Sequence, residues 1–475
     1  MVVEESIMNG AQEQVQPSSR KLTIALVHVL NKEKKTAMNK DLNGGFGTCD
    51  EYGNKWSSKI IKFIKSRAIR LPVISFAFLQ AIFKQQGHNV CYYEITNPFS
   101  PENGVNYDII LIYGTIVDYK NENAMCKQLK SNFPNAIIGF FGPFPSRNPS
   151  LFPSGDFVLD NESEGFFLKD FKTLDQLKGF VHVTTPTNLD ELPTPDYDNF
   201  PIENYSYTPA ISKKPFLVLQ ASKGCPYSCR FYCPYGEYQG AKIRQRSAES
   251  VVNDIIELQK KYNVQGIQFR DPTFGLNKNY TRSFCAELRK KDVHIIWGME
   301  TRTDLLNKDI IKEMYDVGLR NINIGVETSD IEIAKKNKRI LVKESHQEEI
   351  INYCKEMGIH ISAFYILGLD GDTEETIQKT IKYAIYLNTP LARFSVSTPY
   401  PGTGFYTQLE KEDRLLTKNF EDYNQFNLVY AHKNLTPAQV RIYLENAYKQ
   451  YYFRISYFLG LLSLKLKNNL KKSKF

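Results

Sequence analysis

FLVLQASKGCPYSCRFYCPYG (216–236) is the stretch from which the rest of the chain is most easily read. An unbroken apolar run, Phe216 to Leu219, has the character of a buried strand. It runs directly into a loop that gathers Cys225, Cys229 and Cys233 within nine residues. Thiols spaced this closely behind a strand form a metal-ligand constellation. Four ligands would indicate structural zinc or a fully coordinated iron–sulfur centre. Three leave one iron of a [4Fe–4S] cluster without a protein ligand, and an open position is what a metal needs to bind and transform a substrate. A three-cysteine zinc site completed by a distant histidine is the other reading.

Downstream, short apolar runs alternate with amphipathic ones. GIQFRD, HIIWGMET, NINIGVE, HISAFYILGL and RFSVSTPY read as strands. VVNDIIELQKKY behind Ser247, FCAELRKKD, IIKEMYDVG, HQEEIINYCKEMG and TEETIQKTIKYAIYL read as the helices between them. With 216–222 this makes six β/α units, two short of a full barrel, so the chain predicts a partial (β/α)6 TIM-type barrel over 215–404. Upstream, KLTIALVHV, HNVCYYEI, YDIILIY, AIIGFFG and DFVLD alternate with VISFAFLQAIFKQQG and MCKQLKSNF. They predict an N-terminal doubly wound parallel sheet over 21–183, and an α/β protein as a whole. Residues 1–20 are polar and aperiodic and read as a disordered lead. The stretch 184–214, rich in Pro, Asp, Asn and Tyr, reads as a linker. Residues 405–475 read as a helical C-terminal region.

The composition narrows the function. With 475 residues, 42% hydrophobic and 13% aromatic, the chain can build sizeable cores. Its net charge of +8 comes from 60 basic against 52 acidic residues spread over the length. No basic cluster interleaved with aromatics argues for nucleic acid. No apolar run approaches the ~20 residues of a membrane span, and the polar start is unlike a secretory signal. Five scattered cysteines (49, 91, 126, 285 and 354) read as core thiols of a reducing cytoplasm.

ASKGCPYSCRFYCPYG resembles the cluster loop of the radical S-adenosylmethionine (SAM) superfamily, placed after the first barrel strand. FRDPTFGLN (269–277), RTDLL (302–306), INIGVET (322–328), YILGLDGDTEET (365–376) and STPYPGTGFY (397–406) resemble the subgroup that carries an N-terminal cobalamin-binding-type domain. The resemblance implies a [4Fe–4S] cluster on the three cysteines and SAM chelated to the open iron. It implies a 5′-deoxyadenosyl radical that abstracts hydrogen from a small molecule, with reduced flavodoxin or ferredoxin as electron donor. It also implies SAM contacts from Tyr232, Asp271, Arg302 and Glu327. For these the plain alternatives are loop packing, a helix cap, an ion pair with Asp304 and a salt bridge.

One departure matters. Most of the superfamily uses C-x3-C-x2-C, whereas this chain has C-x3-C-x3-C. That spacing is similar to the radical SAM diol dehydratase of apramycin biosynthesis, which works with a partner reductase. The resemblance therefore implies radical dehydration of a sugar or aminosugar diol, with cobalamin-dependent methyl transfer as the alternative. Dehydration needs a proton for the departing hydroxyl, and Tyr238, with Glu237 as its neighbour, is the candidate acid. Cobalamin binding stays open. The string D-x-H-x-x-G is absent, Gly142-Pro143 stands where the subgroup has Gly-Gly, and Asn161-Glu162 stands where it has Gly-Glu.

Overall fold

Two six-stranded parallel sheets organise the computed structural model, which describes residues 20–31, 38–96, 105–160 and 162–460. The first sheet contains β1 (Thr23–Leu30), β2 (Asn89–Thr96), β3 (Ile109–Tyr113), β4 (Ile137–Phe141), β5 (Phe157–Leu159) and β6 (Gly179–Val181), ordered β2-β1-β3-β4-β5-β6. The short strand β6 was not foreseen. The central strands β3 and β4 are apolar throughout because both faces are covered. Alternate residues of β1 show it: Ile24 and Leu26 join one core, with helix α2 (Ile74–Gln85), which follows α1 (Trp56–Ala68), while Ala25, Val27 and Val29 join the other, with α3 (Tyr119–Asn132). Residues 1–19, where nearly all of the expected lead falls, lie outside the described residues.

The second sheet runs β7 (Phe216–Leu219), β8 (Gly266–Phe269), β9 (Ile296–Thr301), β10 (Leu319–Glu327), β11 (His360–Leu367) and β12 (Leu391–Val396), in sequence order. Helices α4 (Ala248–Tyr262), α5 (Lys278–Lys290), α6 (Lys308–Asp316), α7 (Glu344–Met357) and α8 (Glu374–Leu387) alternate with the strands, as in a partial barrel. Between the sheets, residues 184–214 are pinned rather than loose. Tyr197 donates to the Val218 carbonyl (2.7 Å), Phe200 stacks on Tyr92 (3.6 Å between centroids), and Tyr207 accepts from Asn323 Nδ2 (2.8 Å) inside the barrel.

The C-terminal region explains how the sheet can stop at six strands. Helix α9 (Pro437–Tyr452) lies along the outer edge of β12. The Tyr448 hydroxyl donates to the Phe394 carbonyl (2.7 Å) and accepts from its amide (3.1 Å). Tyr452 does the same for Ala392 (2.6 and 3.1 Å), and Tyr451 donates to the Thr389 carbonyl (2.6 Å). Residues 392 and 394 share one side of the strand. Phenol groups therefore satisfy the peptide groups that a seventh strand would have paired, and the edge is covered. Among the described residues no helix is long and apolar enough to cross a membrane.

Candidate functional site

The cysteine loop leaves the C-terminal end of β7, where barrel folds carry their chemistry. Two anchors fix its base. Asp271, just beyond β8, accepts from the Ala221 amide (2.8 Å) and the Ser222 hydroxyl (2.6 Å). Ser222–Lys223 then pairs antiparallel with Arg244–Gln245, and the Cys225 amide donates to the Gly240 carbonyl (3.0 Å), closing the loop. Gly224 has φ +92°, and a Cβ there would stand 2.1 Å from the Lys242 carbonyl oxygen, so only glycine fits. The extra residue between the second and third cysteines is absorbed in a tight turn: the amides of Tyr232 and Cys233 both donate to the Cys229 carbonyl (3.0 and 2.9 Å). Phe231 is turned outward against Phe405 and Lys338, while Tyr232 faces inward.

All three thiols are partly exposed. Burial raises the pKa of Cys229 and of Cys233, and the neighbouring cysteines raise each further, which places the three as one electrostatic group. Among the described residues no three His, Cys, Asp or Glu side chains converge as ligands of a single metal ion. Arg339, which sequence reasoning did not single out, hydrogen-bonds Cys229 and opposes the effect of burial on it.

A cavity of about 210 Å³ opens beside the loop, across the C-terminal ends of the second sheet. Tyr232, Cys233 and Glu327 line it. Glu327 sits at a register shift between β10 and β11 with φ +70°, a rare conformation for a non-glycine residue, and this turns its carboxylate toward the cavity. Burial raises its pKa against Arg339, 3.9 Å away, and Arg302.

The other expected site residues are placed elsewhere. Asp271 is fully buried beneath the loop, with both oxygens engaged, and Asn277 instead caps the following helix. Arg302 holds Asp304 with two hydrogen bonds (2.9 and 2.8 Å) and lies over the ring of Tyr227 in the cysteine loop (4.4 Å). Tyr238 does not line the cavity. It lies behind the loop with Tyr113 and Pro143, at a cleft of about 40 Å³ between the sheets, where burial raises its pKa. Glu237 sits on the short helix Tyr235–Gln239 and reaches neither space; its carbonyl accepts from Arg147. Glu162, noted only as a departure from a turn motif, is fully buried and pairs with Lys223 (3.2 Å) and Arg244, tying the cysteine loop to the first sheet.

Residues 219–384, from the end of β7 into α8, match the radical SAM superfamily. The chain carries a radical SAM domain. An uncharacterized methyltransferase of Pyrococcus horikoshii is 28% identical over 369 residues, which is 73% of this chain and 79% of that one. The anaerobic magnesium-protoporphyrin IX monomethyl ester cyclase of Rubrivivax gelatinosus is 26% identical over 60% of this chain, which spans about half (53%) of the cyclase. The radical SAM methyltransferase TsrM from Kitasatospora setae shares the fold at a TM-score of 0.64 and 12% identity, over 90% of this chain and 89% of that one. The cobalamin-dependent radical enzyme OxsB does so at 0.63 and 16%, over 87% and 65%.

Whether the sheet beside this radical SAM domain suits a corrinoid can be tested on its own geometry. Open α/β sheets take ligands beyond the strand ends where the strand order reverses, here between β1 and β3. Residues 38–50 fill that crevice. The Ile116 amide donates to the Phe46 carbonyl (3.0 Å), and the Tyr113 hydroxyl donates to the Gly45 carbonyl (3.1 Å). Lys40 is buried between Asp118 (3.0 Å) and Glu122 (2.5 Å). Gly45 has φ +88°, and a Cβ there would lie 2.3 Å from the Tyr113 hydroxyl. The cleft of about 40 Å³ between the described residues holds a water or two and no corrin ring. As they stand, the described residues of this crevice do not fit cobalamin.

Proposed function

We propose that the chain is a radical SAM enzyme that transfers a methyl group from one SAM to a small molecule held in the 210 Å³ cavity beside the cysteine loop, a second SAM being spent as the radical source. The observation that carries the reading is this cavity, which brings Cys233, Tyr232 and Glu327 together at the mouth of the partial barrel. Cys225, Cys229 and Cys233 would hold the cluster. When bound, the cluster supplies the electron that cleaves the SAM sulfonium to methionine and a 5′-deoxyadenosyl radical. Tyr232 offers a face for the adenine, and the Glu327 carboxylate suits the ribose hydroxyls. Asp271 and Glu162 keep the loop docked, and the closed hairpin behind it excludes water. Methyl transfer is supported by the names of the relatives, several of which are methyltransferases. It replaces radical dehydration, the leading expectation from the cysteine spacing; Tyr238, the first candidate acid for that reaction, lines the cleft behind the loop and not this cavity.

The filled crevice between β1 and β3 favours a second reading, a radical reaction that uses SAM only as the radical source. Anaerobic turnover with SAM and a reductant separates the two. S-adenosylhomocysteine formed together with 5′-deoxyadenosine supports methyl transfer. 5′-Deoxyadenosine without S-adenosylhomocysteine supports the second reading, and neither product would remove both.

A further inference from the structure

Away from the cysteines, the cavity ends among residues that no motif predicted. Five charged side chains line it: Asp50, Lys65, Glu300, Glu327 and Arg393. The carboxylates all have counter-ions. Glu300 pairs with Arg270, Glu327 with Arg339 (3.9 Å) and Asp50 with Arg393 (3.2 Å). Lys65 does not. Its ammonium makes no hydrogen bond or ion pair among the described residues and sits instead over three phenol rings, Tyr52 (5.0 Å), Tyr448 (5.2 Å) and Tyr452 (5.9 Å). Cation–π contact compensates a desolvated ammonium only in part. Arg393 crosses the same end, and its recorded hydrogen bonds to Thr48 and Gln425 all leave from Nη2. The rest of the lining mixes apolar side chains, Ile69, Phe364, Ile366 and Leu391 among them, with hydroxyl and amide groups.

We propose that Lys65 and Arg393 form a carboxylate-binding site, so that the substrate is a small organic acid held by its carboxylate with its apolar body directed toward the cysteine loop. The proposal rests on the reading of the cavity as the substrate pocket. Three observations converge on it. At this end Lys65 and Arg393 share the cavity wall with one carboxylate, Asp50, so a protonated Lys65 leaves one positive charge that an anion neutralises. A guanidinium with free donors beside an ammonium suits the two oxygens of a carboxylate. The apolar side chains of the lining supply a surface for the body of such an acid. The unbonded ammonium is kept from water by burial, which lowers the Lys65 pKa to about 7 against the pull of Asp50, with Arg393 adding to the lowering. A bound carboxylate would restore its charge.

The test uses full-length reconstituted protein with SAM present, so that the SAM site is filled. 3-Phenylpropionate, 3-phenylpropanamide and 3-phenylpropylamine are titrated at pH 6.5 and their dissociation constants compared. The acid is expected to bind at least about tenfold more tightly than the amide, as charge-assisted bonds imply, and the amine most weakly. Lys65→Met should abolish the preference and Lys65→Arg should keep most of it. Because the readout is a ratio within one protein sample, partial misfolding does not mimic the effect. A wild-type protein that cleaves SAM yet binds acid and amide equally overturns the carboxylate site alone, and so does an unchanged preference in Lys65→Met. Failure of the wild type to cleave SAM overturns the enzymatic reading and leaves the ratio to be judged separately.

Discussion

Replacing Glu162 with Gln should loosen the cysteine loop without touching a cysteine. Glu162 is fully buried, and its carboxylate faces Lys223, 6% exposed, and Arg244, 13% exposed. Removing one partner of a buried ion pair costs about 3–5 kcal/mol, because the remaining charge stays buried and uncompensated. Here the loss is cushioned. Lys223 keeps Glu164 at 3.5 Å, and Arg244 keeps the carbonyls of Pro186 (2.7 Å) and Gln239 (2.9 Å). The expectation is therefore the lower end, about 3 kcal/mol. Since about 1.4 kcal/mol is a factor of ten, the opened loop should become about 100-fold more populated. Hydrogen exchange reads this directly, through amides such as Cys225 and Tyr232 that are bonded within the loop. The peptide spanning 222–240 should exchange about 100-fold faster in Glu162→Gln, with exchange in α4 unchanged. The control is Glu191→Gln, whose pair with Lys169 is solvent-exposed and contributes at most about 1 kcal/mol. Exchange within threefold of wild type in Glu162→Gln would refute the view that this buried pair docks the loop.

Three further predictions follow from the same site and its supports. Anaerobic reconstitution should give about four irons per chain, lost on changing Cys225, Cys229 or Cys233 to Ala and kept in Cys285→Ala, since Cys285 is a buried core thiol; iron retained in the triple variant would sink the cluster assignment. Burial raises the Asp271 pKa to about 7, so its contribution to stability is full below the unfolded value near 4 and is lost as pH rises to about 7. Asp271→Asn should therefore gain on wild type between about pH 4 and 7, by up to about 4 kcal/mol, and run parallel above; denaturant curves at pH 4.5 and 7.5 with the same difference would contradict this. Tyr448→Phe removes both hydrogen bonds to Phe394 on the edge of β12 and should cost about 1–3 kcal/mol in chemical denaturation, whereas no loss would mean that water replaces the phenol there.

The legible parts of this protein are those written in local pattern. Alternating apolar runs located eleven of the twelve principal strands, and the three-residue β6 (Gly179–Val181) escaped because it is too short for periodicity to register. The cysteines were legible because their spacing is itself the signal. The roles around them were less so. Asp271 was noticed at a strand end, but only the fold shows its oxygens turned down onto Ala221 and Ser222. Tyr238 was close to the loop in sequence, yet the helix Tyr235–Gln239 carries it to the far side. Lys65, Arg339 and Glu162 acquire their meaning from contacts dozens to hundreds of residues away. Arg393 alone carried a warning, as a lone charge within an otherwise apolar strand.

The stretch that fills the crevice of the first sheet has a second face. Asn39, Leu42, Asn43 and Asp50 of the 38–50 segment, and Lys65 just beyond it, also line the cavity of the radical SAM domain. One wall of the reaction chamber is thus lent by a neighbour, and a barrel excised at residue 215 would open on that side to water and oxygen. It also means that selection has a way to retune what enters the chamber by altering one segment after β1, leaving the barrel and its cysteines as they are.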